Sequence, residues 1–379
     1  MSTQARPYQV CSFCVMDSVI PALQFDANGQ CDCCRQALAR LPHEWWPDEE
    51  GERRLDAMTK ELKAAGQGKK YDCMVGLSGG VDSAYLAHLA VRNLGLRVLA
   101  VHVDAGWNSA AAVRNIELIV RKLDLDLHTF VVEWGEMRDI QLAFLRASVL
   151  NQDNPQDHAF FSTLYRTAIQ QGISHFLSGV NYASENVIPP DWGHPYMDSR
   201  QIHAIHRRYG KQPLRYFPFM GLPEFVWHSR IMKRLTVHRP LNYISYDKES
   251  ARRELESEYG WVDYGGKHHE SRFTKFYQEI YLPQKFGFDK RRLHLSSLIV
   301  SGQLNREIAL KELETPIIDE ASRRHDMRFI AKKLGISVDE LGCLIDAPAI
   351  SHLAYPNQMA IHRTLVRIKQ LLGKGKGKV

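Results

Sequence analysis

Nothing in this chain of 379 residues is apolar for long enough to cross a bilayer, a task that takes about 18–20 consecutive residues, so no membrane span is expected. The opening MSTQARPYQVCSFC has no apolar core, so no signal peptide is expected and the reading is cytoplasmic. Cysteine is missing from the whole middle of the chain: none lies between Cys73 and Cys343. That counts against chemistry carrying sulfur on a protein thiol. The phosphate loop G-x-x-x-x-G-K-[ST] and the dinucleotide fingerprint G-x-G-x-x-G are both absent. Charge is not extreme either. A net charge of +6 suits an anionic ligand without requiring nucleic acid.

What is present centres on Tyr71 to Ser83. An apolar run ends in Ser78-Gly79-Gly80-Val81-Asp82-Ser83, and a helical pattern follows at once. The first N–H groups of a helix lack intrahelical partners, and its dipole adds partial positive charge. Such a turn suits a phosphate or pyrophosphate, and glycine lets the backbone approach it closely. Ser78 and Ser83 offer hydroxyls, and Asp82 offers a hard oxygen for Mg²⁺. The six residues resemble the PP-loop of the ATP pyrophosphatase superfamily, whose members cleave ATP between the α- and β-phosphates and adenylate a carbonyl or amide oxygen.

Five of the seven cysteines fall within residues 11–34. Cys11-x2-Cys14 and Cys31-x2-Cys34 form two knuckle-like pairs, the spacing of a tetrahedral four-thiolate site. Structural Zn²⁺ is the favoured occupant, with an iron–sulfur cluster the rival. Cys33 lies inside the second pair and could replace a neighbour.

Residues 1–66 read as this cysteine module plus an amphipathic connector over Glu49 to Ala65. Strand patterns at Asp72–Leu77, Arg97–Asp104, Leu127–Val132 and Ser174–Gly179 alternate with helical ones at Asp82–Leu94, Ala110–Leu123, Glu136–Leu150 and Gln156–Gln171. The alternation predicts an α/β fold, a parallel, doubly wound, Rossmann-like sheet. It would occupy residues 67–300, with a basic substrate-binding insertion at about 199–240. Residues 301–379 read as a helical C-terminal region ending in a basic, solvated tail, and residues 303–371 as helical throughout. Lys332 to Asp346 mimics a helix-turn-helix but reads as core packing.

Ligands of such sheets gather beyond the carboxyl ends of the strands. Asp104 there can accept from a ribose or an adenine amine, and Trp107 either joins the site or caps the sheet. Past the fourth strand, Asn181 and Glu185 follow a glycine turn similar to that of NAD synthetase, whose glutamate binds metal. Glu185 is therefore a second candidate Mg²⁺ carboxylate, with a plain helix N-terminal acid as the alternative. Asp157 and His158 open a helix as substrate contacts or as a cap. Residues 199–239 hold nine Arg or Lys against one acid, Glu224, with aromatics interleaved, a patch for a nucleotide-sugar, for RNA, or for solvent alone. In Gly265-Gly266-Lys267-His268-His269-Glu270, Lys267 is a candidate to neutralise charge on the departing pyrophosphate. His268 or His269 is a candidate to move a proton.

Taken with Asn154-x-Gln156-Asp157-His158, Pro240-Leu241-Asn242-Tyr243, Gly266-Lys267-His268-His269-Glu270-Ser271 and Lys285-Phe286-Gly287-x-Asp289-Lys290-Arg291, these motifs resemble the N-acetyl sugar amidotransferases of surface-polysaccharide biosynthesis, of the WbpG/PseA type. The resemblance implies ATP, Mg²⁺ and a nucleotide-activated N-acetyl sugar, such as a precursor of lipopolysaccharide. The acetamido oxygen would be adenylated and replaced by ammonia to give an acetamidino sugar. It also implies a glutaminase and a cyclase-like ammonia channel as partners, because Ser2 stands where one glutaminase class needs cysteine, and neither Cys73 nor Cys343 suits the other. Nucleic acid is not expected as a partner. The rivals are a tRNA-modifying PP-loop enzyme and a zinc-bearing RNA-binding module.

Overall fold

The computed structural model describes residues 7–189, 195–227, 235–266, 269–361 and 364. Five parallel strands, β1 (Cys73–Gly76), β2 (Val98–Asp104), β3 (Asp126–Val131), β4 (His175–Leu177) and β5 (Thr236–His238), lie in the order β3-β2-β1-β4-β5. The order reverses at β1, so the chain leaves the sheet there towards both sides, the topological condition for a ligand crevice. Each crossover carries a helix, as parallel strands require. These include α3 (Val81–His88) after β1, α4 (Ala110–Leu123) after β2, and α5 (Trp134–Ala147) with α6 (Asn154–Gln170) after β3. The fold is thus the expected parallel α/β sheet with flanking helices.

Local chemistry sets the helix ends. Ser109 accepts the N–H of Ala112 and caps α4, whose buried Ile116, Ile119 and Leu123 recur at helical spacing. Asp124 then leaves the helix at φ +52°. Upstream of the sheet, α1 (Asp32–Glu44) leaves the cysteine module, and Asp48 caps α2 (Glu49–Ala65). Met58 and Leu62 of α2 pack on Cys73, Val75 and Leu177 of the sheet.

β5 was not foreseen. Its three residues fall within the basic stretch, too short and too polar to give a period-two signal. Residues 206–217 of that stretch are held by two buried acids of α5. Glu136 accepts the backbone N–H groups of Arg215, Tyr216 and Phe217. Asp139 accepts those of Lys211 and Gln212 and bonds His206 Nε2 at 2.8 Å. His206 belongs to α8 (Ser199–Tyr209), which follows the one-turn α7 (Tyr182–Glu185).

The C-terminal third is helical but not continuous, which corrects the expectation for residues 303–371. Among its described residues, helices run over Arg306–Leu313, Glu320–Leu334 and Val338–Asp346, broken at Gly335, which sits at φ +73°. Met327, Ile330, Leu334, Leu341 and Ile345 are buried in the main core, so the helix-turn-helix look-alike is packing. The same core takes in Cys11, Cys14, Cys31 and Cys34 with Met16 and Leu23. No helix among the described residues is long and apolar enough to cross a membrane.

Candidate active site

The glycine loop adopts the geometry its residues dictate. Gly79 has φ +84°, and a Cβ there would stand 2.5 Å from the carbonyl oxygen of Ala112. Only glycine fits. α3 has no side-chain N-cap, so its first N–H groups face the turn unclaimed by a capping oxygen. The loop closes on its own hydroxyls. Ser83 Oγ accepts the N–H of Ser78 at 3.2 Å and donates to the carbonyl of Gly80 at 3.0 Å. Ser78 Oγ lies 3.1 Å from Ser83 Oγ and accepts the N–H of Gly80. From the other side the β4–α7 turn presses in: a Cβ on Gly179 would sit 3.3 Å from the Asp82 carbonyl.

Asp82 is the hub. Its Oδ1 accepts the buried Tyr246 hydroxyl at 2.5 Å and the Asn181 amide at 3.3 Å. Among the described residues its Oδ2 has no hydrogen-bond partner, which leaves that oxygen for a cation. Burial, then the Asp82 and Glu185 carboxylates, raise the Tyr246 phenol well above its ordinary value. It therefore stays a protonated donor. Asn181 caps α7 by accepting the N–H of Ser184, and this short helix carries Glu185. Asp82 bonds this tyrosine directly, and Glu185, carried by α7, lines the cavity beside the loop. A hard, oxygen-only donor set of this kind fits Mg²⁺.

Beside the loop, over the carboxyl ends of β1, β2 and β4, lies a cavity of about 600 Å³. Its lining includes apolar Phe160, Phe161 and Leu164 of α6 and Phe176 of β4, and polar Ser78, Glu185, Asp153, Asp157, Glu270 and Lys290. Burial first, and then Asp157, raise Asp153 well above the usual carboxylate range. Its carboxyl also accepts from Gln156 and Thr274. The segment 270–297 forms one side of this cavity. It is pinned to the β2–α4 loop, because Ser109 donates its N–H to Glu270 and Asn108 pairs with Ser271. Tyr264 comes within 3.1 Å of the position a Cβ would take on Gly80.

The remaining sequence candidates lie at several places around the site. Asp104 is not part of the cavity wall; its carboxylate accepts the N–H of Gly106 at 2.7 Å. Trp107 is buried against Trp134 and Phe273 and caps the sheet. Asp157 reaches the cavity, but His158 does not. The His158 Nδ1 donates to the Tyr196 carbonyl at 2.7 Å and its Nε2 accepts from Met220 N–H at 3.1 Å. Those partners require the neutral ring, and burial pushes its pKa down to about 4. His269 pairs with Glu279 at 2.8 Å. Lys267 and His268 lie outside the described residues.

Tyr246, Tyr264 and His102 were missed. His102 Nδ1 donates to Leu77 O, just ahead of the loop, and its Nε2 accepts from the Asn108 amide, both at 2.9 Å. No motif marks these three; long-range packing alone brings them to the site.

The cysteine module is a separate centre. Cys11 and Cys34 sulfurs lie 3.7 Å apart, and those of Cys14 and Cys31 lie 3.6 Å apart. A tetrahedron with metal–sulfur bonds of about 2.3 Å has edges of about 3.8 Å, so four buried thiolates are set for Zn²⁺. Backbone N–H groups of Cys14 and Cys31 point at Cys11 Sγ, and that of Cys34 points at Cys31 Sγ. Cys33 is not in the cluster; burial pushes its thiol up to about 12.

Comparison with known proteins places these features. Residues 270–369 match the family described as LPS biosynthesis protein WbpG-like, C-terminal domain. Residues 51–227 match the NAD synthase family. No curated protein matches the chain. Solved structures similar to it include an NH3-dependent NAD synthetase from Campylobacter jejuni (17% identity, 55% of this chain and 83% of that one, TM-score 0.29). They also include an NMN synthetase from Francisella tularensis (13%, 58% and 100%, TM-score 0.29). A third is an NAD+ synthetase from Burkholderia pseudomallei (20%, 60% and 98%, TM-score 0.27). The two family matches thus give the chain an NAD synthase-type domain, of the PP-loop superfamily, over residues 51–227 and a WbpG-like C-terminal domain over residues 270–369.

Proposed function

We propose that the protein is a cytoplasmic, ATP-dependent amidotransferase that converts an N-acetyl group of a nucleotide-activated sugar into an acetamidino group. One observation carries this reading. The segment that matches the LPS-biosynthesis domain supplies a wall of the same cavity that the glycine loop opens into. A sugar held by that wall would have its substituent beside the phosphates of ATP.

The chemistry then follows from the groups in place. Unclaimed N–H donors of the loop and α3 hold the triphosphate. Asp82 and Glu185 would hold Mg²⁺, which supplies neutralising charge between phosphate oxygens. Tyr246 and Asn181 fix the Asp82 carboxylate, so little reorganisation is left for the reaction itself. The acetamido oxygen attacks the α-phosphorus, and the bond to the β-phosphate breaks to release pyrophosphate. Ammonia adds to the activated carbon, a proton leaves the nitrogen, and the carbon–oxygen bond breaks to release AMP. Lys267 and His268 are assigned to charge neutralisation and proton transfer in these two steps. Asp157 and Glu270 in the cavity lining suit a protonated nitrogen entering there. Ammonia would come from a glutaminase partner through a channel protein.

The test incubates the enzyme with ATP, Mg²⁺, an ammonium salt and a set of N-acetyl sugar nucleotides. AMP and pyrophosphate should form only with a suitable sugar, and its mass should change by replacement of O with NH. Release of ADP, or AMP release that depends on tRNA, would overturn the reading.

A further inference from the structure

Glu61, His175 and His238 converge on the face of the sheet opposite the cavity. Leu177 packs with Met58 and Leu62 of α2, while Phe176 turns to the cavity. Residues alternate faces along a strand, so His175 shares the side of Leu177 and meets α2. His238 ends the edge strand β5, paired with Leu177. Its Nε2 stands 2.9 Å from His175 Nδ1. The Glu61 carboxylate, on the exposed side of α2, completes a set whose ligand atoms all lie within 4.8 Å of one another.

We propose that these three residues form a second cation site, for Zn²⁺ or a similar divalent transition metal, that clips the connector helix to the sheet edge. Two imidazoles and one carboxylate are a common zinc donor set, with a fourth position left to water. Bonds of about 2.1 Å place tetrahedral ligands about 3.4 Å apart, so the nitrogens need to open slightly and the exposed Glu61 side chain to swing inward. The rings share one proton between Nδ1 and Nε2. On binding, that proton moves to the other nitrogen of its own ring, and both facing lone pairs turn to the metal. The alternative is a bare histidine–histidine hydrogen bond with a nearby surface acid.

The two predict different stoichiometries. Full-length protein with its four-cysteine site filled is dialysed against Zn²⁺, then titrated separately with Co²⁺. The wild type should hold two zinc ions per chain, and Glu61→Gln and His238→Ala should hold one. Loss of a direct ligand should weaken the second site by at least the 10–100-fold seen for outer-shell partners. The second Co²⁺ should add visible absorption without a thiolate charge-transfer band. The exposed Glu61→Gln keeps the test valid if His238→Ala misfolds. One zinc in the wild type, two retained in both variants, or a thiolate band from the second ion would overturn the proposal.

Discussion

Replacing Gly79 by alanine separates two costs that the structure assigns to different positions. At φ +84° any L side chain meets the left-handed penalty of about 1–2 kcal/mol. Gly68, at φ +75° with nothing within 4 Å of its would-be Cβ, carries that penalty alone. At Gly79 the new methyl would also stand 2.5 Å from the Ala112 carbonyl oxygen and 3.0 Å from Ala112 Cα. Both are backbone atoms of the first turn of α4, which Ser109 caps, so the loop rather than the helix must yield. Overpacking of this kind costs about 1–3 kcal/mol. Gly68→Ala should therefore lose about 1–2 kcal/mol and Gly79→Ala about 2–5 kcal/mol. Urea midpoints of the two variants, taken without ligand, measure the difference. Gly79→Ala should also abolish AMP formation, because the shift re-aims the N–H groups that hold phosphate, while Gly68→Ala should leave turnover intact. Equal midpoints for the two variants would refute the loop geometry.

Tyr246→Phe removes a hydrogen bond to the Asp82 carboxylate, an interaction worth about 1.5–3 kcal/mol, so the substrate-free protein should lose up to about that much stability and AMP formation should fall by at least about tenfold. An unchanged rate would remove Tyr246 from the site. Cys31→Ser, or exhaustive chelation, should empty the four-thiolate centre, and limited proteolysis should then cut first within residues 7–44, since Met16 and Leu23 pack around those sulfurs. His158 gives a pH signature. Its pKa falls from an ordinary 6.5 to about 4 on folding, so the unfolded chain binds the extra proton between those values. Stability from this group is complete above pH 6.5 and drains away as pH falls towards 4, by about 3 kcal/mol in all. His158→Gln should be less stable at neutral pH and show a flatter melting profile across that window.

Much of the site was legible because its signals are local. Ser78 to Ser83, the paired cysteines and the Asn181-to-Glu185 turn each need a fixed spacing along the chain, and spacing is what a sequence records. Helices such as Glu49–Ala65 and Ala110–Leu123 were equally plain, since their burial repeats at helical intervals. β5 was not, because a three-residue edge strand has no period to show. The anchoring of the basic stretch was not legible, because Glu136 and Asp139, which accept its backbone N–H groups and bond His206, sit more than 60 residues away. That Asp104 closes a turn by accepting the N–H of Gly106 was not legible either, since the sequence marks only its place at a strand end.

Sequence alone determined the chemistry on offer: a glycine turn opening a helix, a carboxylate in its first turn, and four thiols at metal-binding spacing. Tertiary structure alone decided which groups act together. Tyr246 lies 164 residues from Asp82, and Gly79 needs to be glycine because of Ala112 on another helix. The physical reason is range. Backbone dihedrals, caps and ligand pairs are set by neighbours in the chain, whereas the partner of a buried carboxylate and the far wall of a cavity are set by packing.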